Sequence, residues 1–467
     1  MTTLGIDLGT GSVKAALLDD SLQVVAKASR PNRVDAPVAG WAESDPQQWL
    51  AATLDAIREV TALGGTPDRA GFSGQMHGVV VVDANFTPLR PAVLWADVRS
   101  VEQARRLQSD IGSDLSKVGS PAVAGFAATS LAWLLENEPD VMARAAYVLQ
   151  PKDWLRVALG GSLGTDPSDA SGTLLYDVAD GCWSSTMVEW LGLPADRLPD
   201  VLASNGDGGH IRVDDWTVPC VIGGADTACA LAGLGLHAGE GFVAVGSGAQ
   251  VVRVMSRPDL DGTLRTHTFS TAGPIGDGWY RIGAVQSAGL ALTPALRWLD
   301  ASIPEASAAL ADGVRADDPV FVPYLSGERT PFMDPQLRGA WYGLSLATDR
   351  AAILRSILEG VAQAVALGVD AVQSSGDLLP DVVPLIGGGT HDPAFQQLLA
   401  DATGLTLAIA DAPDSAVVGA GLLALGLTGN PQPVASVSTV SPRPDAALLL
   451  RDRREMMRSY AQAEERS

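Results

Sequence analysis

Asp7 and Asp226 are the two carboxylates best placed in this chain to do chemistry. Asp7 lies near the end of an apolar strand, residues 4–8, at the turn Gly9-Thr10-Gly11-Ser12, and residues 13–18 read as a second strand. A reduced copy recurs half a chain later, where residues 242–245 lead through Gly246-Ser247-Gly248 into residues 249–252. Glycines in such turns remove Cβ atoms, so backbone N–H groups approach an anion closely, and Thr10, Ser12 and Ser247 add hydroxyl donors. A lone strand carboxylate is costly to bury without a cation, so Asp7 points to Mg2+ held through water. Hydrogen bonding to its own turn is the competing role. Asp226 follows an apolar strand, 218–223, beside Gly223 and Gly224, where a carboxylate suits a proton acceptor. A helix N-cap is its competing role. Lys14 is either a phosphate contact or a strand lysine directed to solvent. Phosphoryl transfer from a nucleotide to an alcohol asks for these parts: phosphate nests, charge neutralisation and a base beside the attacking hydroxyl.

The elements that must position these residues alternate between strand and helix. Helical spacing over 46–63 places Trp49, Leu50, Leu54, Ile57 and Val60 on one side. A strand at 70–74 runs into the loop Ser73-Gly74-Gln75-Met76-His77-Gly78, before a strand at 79–83. Further helices are expected at 102–107, 131–136, 291–299, 350–369, 393–403 and 415–427. A strand at 382–386 feeds Gly387-Gly388-Gly389. The fold class is α/β. The repeated hairpin divides the chain into two domains, 1–240 and 241–467, with a ligand between them.

Composition removes several alternatives. The chain has 467 residues, 46% hydrophobic and 18% charged, which is globular. A formal charge of −22 argues against a nucleic-acid partner, whose phosphates need a basic face. Cys182, Cys220 and Cys229 lack metal-ligand spacing and suit a reducing compartment. Met1-Thr2-Thr3 leads straight into a strand, and the apolar stretch at 416–427 is too short to span a bilayer, so a cytoplasmic protein without a membrane partner is expected. A homodimer is one assembly the sequence leaves open. None of the four lysines lies in a G-x-x-x-x-G-K-[ST] loop, the protein-kinase motifs are absent, and residues 13–18 continue as a strand where a Rossmann fingerprint needs a helix. Two hairpin-led, actin-like domains with ATP in the cleft remain.

The chain resembles the FGGY carbohydrate kinases, collinearly and over nearly its whole length. The resemblance rests on residues 7–12, 73–78, Leu94-Trp95 with Asp97 and Arg99, 151–155, Thr165-Asp166 with 168–173, 223–226, Pro323-Tyr324-Leu325-Ser326-Gly327-Glu328-Arg329-Thr330-Pro331, and 387–389. It implies two actin-like (ribonuclease H-like) ATPase domains, with ATP and Mg2+ as cofactors and a small sugar as substrate. It implies Asp226 as catalytic base and Asp7 as the metal-associated carboxylate. Gly9, Thr10, Gly11, Ser12, Gly246, Ser247 and Gly248 are implied at the phosphates, with Gly388 and Gly389 beside adenine. Met76 and His77 match the sugar-contacting pair of the pentulose-specific branch acting on D-xylulose, and Trp95 and Thr227 are implied beside the same sugar. Ala225, Thr227, Ser130, Ala96 and Ala352 depart from the family pattern; the first two flank the base and bear on substrate choice. Another pentulose or a polyol is the alternative substrate. Outside this class, the rivals are a non-kinase actin-like ATPase, which leaves residues 73–78 unexplained, and a sugar-sensing regulator, whose DNA-binding extension is not visible.

Overall fold

The computed structural model describes residues 1–467 except 275, 312, 375, 377, 388–390, 411, 413, 427–435 and 465–467. Gly388 and Gly389 therefore lie outside the described residues. The first sheet begins with β1 (Thr3–Leu8), β2 (Ser12–Leu18) and β3 (Val24–Pro31), paired antiparallel in sequence order. Helix α1 (Pro46–Gly64) carries the chain to β4 (Arg69–Gly74), parallel to β1. Asp45 starts α1 by accepting from Gln47 N–H, Pro46 fits its first turn, and Trp49, Ala56, Ile57 and Val60 are buried against the sheet. β1 is central and covered on both faces: Leu4, Ile6 and Leu8 are fully buried on one, and Thr3 and Gly5 are buried on the other.

An excursion follows that includes the one-turn helix α2 (Pro167–Ser171). The chain then returns through β5 (Asp207–Val213), β6 (Trp216–Val221) and the short β7 (Gly224–Ala225), which pairs with β4 and runs directly into α3 (Asp226–Gly233). The order is β5-β6-β4-β1-β2-β3.

The second sheet repeats this plan. It contains β8 (Gly241–Val245), β9 (Ala249–Met255), β10 (His267–Ser270) and β11 (Trp279–Val285), followed by α4 (Gly289–Trp298) and α5 (Arg350–Val372). After these come β12 (Val382–Ile386), α6 (Pro393–Thr403), β13 (Thr406–Ala410), α7 (Ser415–Ala424) and β14 (Ser436–Val440). The order β10-β11-β9-β8-β12-β13-β14 contains the series β11-β9-β8-β12-β13, which matches β3-β2-β1-β4-β6 of the first sheet. In both, a hairpin and a third antiparallel strand lie on one side and parallel strands on the other. This is the actin-like arrangement expected from the repeated hairpin.

Most expected elements are present, with shifted ends. α5 runs to Val372 because Ala371 and Val372 remain buried. Among the described residues it is also the one helix long and apolar enough to cross a membrane by length and composition. Nearly all of α5 is buried inside the second half, and its Glu359 is held there by Arg453. α7 comes from the second half yet packs on β1, β4 and α3 of the first. The contact is close because it is backbone to backbone: a Cβ on Gly71 would overlap the Ala420 carbonyl, and one on Gly419 the Cys229 carbonyl.

Candidate active site

The register of the first sheet brings Asp7 between Lys14 on β2 and Ser73 on β4. Ser73 Oγ donates to Asp7 Oδ1 at 2.9 Å, and the Lys14 charge also favours the carboxylate; burial outweighs both and raises the Asp7 pKa. Lys14 is partly buried and pairs across the hairpin with Asp7. Asp226 is the first residue of α3, with Ala225 rather than Asp226 at the cap. Its Oδ1 accepts from Thr227 N at 2.6 Å and from Thr227 Oγ1 at 3.2 Å. No side chain or N–H of a described residue donates to Oδ2. Burial first, then repulsion from Asp7, pushes the Asp226 pKa up to about 7. Two neighbouring, undercompensated carboxyls at the carboxyl ends of the parallel strands β1 and β7 make a site suited to a cation and a transferable proton.

The first turn closes through Gly9 N–H to Ser12 O at 3.0 Å. A Cβ on Gly11 would meet nothing within 4 Å, so the turn faces open space as a phosphate nest must. Thr10 Oγ1 donates to Gln75 Oε1 and accepts from Trp95 Nε1, both at 2.9 Å. The turn, the loop after β4 and Trp95 are thereby one assembly. Ser12 stands at the start of β2, partly exposed. The second turn, Gly246-Ser247-Gly248, is largely exposed and anchored to α4, with Gly289 N–H donating to Gly246 O and Leu290 N–H to Ser247 O. It makes no direct hydrogen bond to the first turn among the described residues.

After β4, Gln75 N–H donates to Leu8 O at 2.9 Å, and His77 takes a left-handed backbone with φ of 72°. The His77 ring stacks on Phe126 with centroids 3.8 Å apart, and Nδ1 lies 2.6 Å from Gly172 O. A carbonyl can only accept, so Nδ1 carries the proton. Burial lowers the His77 pKa to about 3, so the ring is neutral and Nε2 is left as an acceptor for a hydroxyl. Met76 is 6% exposed and receives the Tyr280 hydroxyl at its sulfur, 3.6 Å away.

Residues 2–233 match the N-terminal domain, and residues 261–426 the C-terminal domain, of the FGGY family of carbohydrate kinases. The chain belongs to that family. It is 34% identical to the xylulose kinase of Escherichia coli over 419 residues, covering 86% of this chain and 85% of that one. Among solved structures, a xyloylose kinase from Brucella ovis superposes with a TM-score of 0.93 at 30% identity, over 100% of this chain and 99% of that one. A glycerol kinase from Plasmodium falciparum shares the fold at a TM-score of 0.87 and 22% identity, over 100% and 98% of the two chains. This FGGY kinase is thus an ATP-dependent sugar phosphotransferase.

Beneath the site of this kinase lies a network that sequence reasoning did not assemble. Lys152, Arg156, Asp153, Asp166 and Asp169 are all fully buried. Lys152 Nζ is 2.7 Å from Asp153 Oδ1 and 3.1 Å from both Asp166 Oδ1 and Asp169 Oδ2. Two cations face three carboxyls, and burial, opposed by the Lys152 charge, pushes the Asp169 carboxyl upward. Asp166 Oδ2 accepts from the hydroxyls of Ser168 (2.5 Å) and Ser204 (2.7 Å). With those protons committed, the Ser168 oxygen accepts from Ala225 N–H at 2.8 Å and the Ser204 oxygen from Gly273 N–H at 2.9 Å. The first of these bonds fixes the backbone immediately before Asp226. Since Gly172 caps α2 and receives His77, one short helix positions both the carboxylate and the imidazole. Ser168 and Gln75 lay within strings singled out in the sequence. Tyr280 carried no signal there, being one aromatic residue in an apolar strand.

Proposed function

We propose that this FGGY kinase transfers the γ-phosphoryl group of ATP to the terminal hydroxyl of D-xylulose, giving D-xylulose 5-phosphate, with Asp226 as general base. The observation that carries this reading is the Asp226 carboxyl: Thr227 holds one oxygen, the other is free, and its pKa is near 7. As the bond from the sugar oxygen to phosphorus forms and the bond from phosphorus to the β-phosphate oxygen breaks, Asp226 takes the hydroxyl proton and ADP leaves. Met76 gives the ketose an apolar wall and neutral His77 accepts a hydroxyl at Nε2. Trp95 and Thr227 complete the sugar side, and residues 9–12, 246–248 and Lys14 face the phosphates. Residues 1–240 and 241–467 act as the two domains.

The residues fit Mg2+. Asp7 is a buried carboxylate whose pKa is raised, with one further raised carboxyl beside it. Among the described residues no group of three His, Cys, Asp or Glu side chains forms a closed cage, which suits an ion bound to water and phosphate oxygens. When bound, Mg2+ neutralises charge on the phosphates. The resemblance to E. coli xylulose kinase and the Met76-His77 pair support the ketose. Thr227 and Ala225 favour a second reading, another pentulose or a polyol. An ADP-release assay over a panel of pentuloses and polyols distinguishes the two, and D-xylulose giving the highest kcat/KM is the expected result. Asp226→Ala should bind ATP and lose phosphorylation; substantial remaining kinase activity would sink the base assignment.

A further inference from the structure

Arg329 is a cation whose only favourable charge partner among the described residues is its neighbour Glu328, acting through space. It belongs to the segment 326–331 of the second half, and its guanidinium makes no hydrogen bond or ion pair with a described residue. Glu328, its sequence neighbour, is spent elsewhere. Its Oε1 accepts from Gln286 N at 2.6 Å and Arg329 N at 2.7 Å, and its Oε2 from Ser287 N at 3.1 Å. Those bonds fasten the segment to the connection between β11 and α4, and α4 is itself fastened to the second phosphate turn. Arg329 is therefore built into the same body as that turn.

Its guanidinium carbon lies 5.5 Å from the ring centroid of Trp95, which belongs to the first half and donates to Thr10. The side chain is partly covered, and its charge is felt at His77 and His267, where it disfavours protonation. Arg329 thus sits beside Trp95, against the assembly of the first turn and the loop after β4. A guanidinium remains charged even when desolvated, and its nitrogens are not sealed off among the described residues, so the donors are open to a ligand.

We propose that Arg329 is a sugar-recognition residue supplied by the second half, donating its planar fork to oxygens of the ketose beside Trp95. The inference rests on the kinase reading above and extends it to a residue outside the Met76-His77 loop. A carbonyl oxygen with a neighbouring hydroxyl matches a two-pronged donor, so Arg329 favours a ketose over the corresponding polyol.

The test is steady-state kinetics of Arg329→Gln and Arg329→Lys with D-xylulose, with xylitol as the matching polyol, and with ATP varied separately. Arg329→Gln should raise KM for D-xylulose roughly 10- to 100-fold, the effect of losing charged hydrogen bonds. The ratio of kcat/KM for D-xylulose over xylitol should fall with it, while KM for ATP moves less than about twofold. Arg329→Lys keeps the charge without the fork and should give an intermediate sugar KM; it carries the measurement if Arg329→Gln does not fold. An unchanged sugar KM and an unchanged ketose-to-polyol ratio overturn the proposal, as does a rise confined to KM for ATP. A wild-type enzyme inactive on every pentulose and polyol refutes the kinase reading instead.

Discussion

Replacing Asp226 with asparagine should abolish phosphorylation and stabilise the protein at alkaline pH. Folding raises the Asp226 pKa from its ordinary 3.8 to about 7. The folded state therefore holds this proton more tightly than the unfolded chain, and the group's stabilising contribution is complete below pH 3.8. It is lost as pH rises through 7, where the native state must carry a desolvated carboxylate beside Asp7. At 1.36 kcal/mol per factor of ten, that loss has a ceiling of about 4 kcal/mol. Asp226 is partly open to the cleft, so solvent screening brings the figure to ~2 kcal/mol. Asparagine is isosteric, keeps an oxygen for the Thr227 N–H and never ionises. At roughly 2–4 °C per kcal/mol for a domain of this size, the variant should melt ~4–8 °C above wild type at pH 8.5. Its advantage should shrink to less than half of that by pH 5 and vanish only below pH 3.8, where both states are protonated. The measurement is a thermal melt of both proteins across pH 5–9 without nucleotide or sugar. A variant no more stable than wild type at pH 8.5, or an offset that does not change with pH, would refute the electrostatic account of this site. The accompanying activity loss should be at least about a hundredfold, the contribution of a positioned general base.

The remaining predictions follow from the same geometry. For wild type, kcat/KM should rise with pH through about 7 as Asp226 deprotonates, with no separate limb from His77, whose pKa of about 3 keeps it neutral throughout; a His77→Phe variant that loses the acid limb would contradict this. His77→Asn keeps a residue tolerant of the left-handed backbone but loses the ring Nε2, and sugar KM should rise by about 10-fold or more with KM for ATP unmoved, measured by coupled ADP release. Gly419→Ala forces a Cβ onto the Cys229 carbonyl and should cost several kcal/mol, at least ~3, read as a fall in denaturant midpoint; a midpoint within error of wild type would show that α7 shifts freely on the first sheet.

The sequence makes local geometry legible and leaves cross-chain geometry hidden, and particular residues show why. Asp7 and its turn could be placed because one strand period and one glycine pattern decide them, and β1 and β2 carry them as expected. The helix at 393–403 was legible for the same reason, with Asp392 accepting from Ala394 N–H at its start. What could not be read depends on partners far apart in the chain. The backbone just before Asp226 is held by Ser168, 57 positions away from Ala225, and Met76 meets Tyr280, 204 positions away. Nor does any local pattern say that α7 will leave its own half and lie on β1 and β4; that follows from several glycines, scattered over more than 400 residues, facing one another only after folding. Substrate choice is hidden by the same principle. The glycerol kinase fold shows that the two sheets and turns do not select the alcohol. On the reading proposed above, selection falls to side chains from both halves, Met76, His77 and Thr227 from the first and Arg329 from the second. An exchange of substrate between FGGY kinases therefore requires changes on both sides of the cleft, and grafting the Met76-His77 loop alone should move KM without transferring specificity.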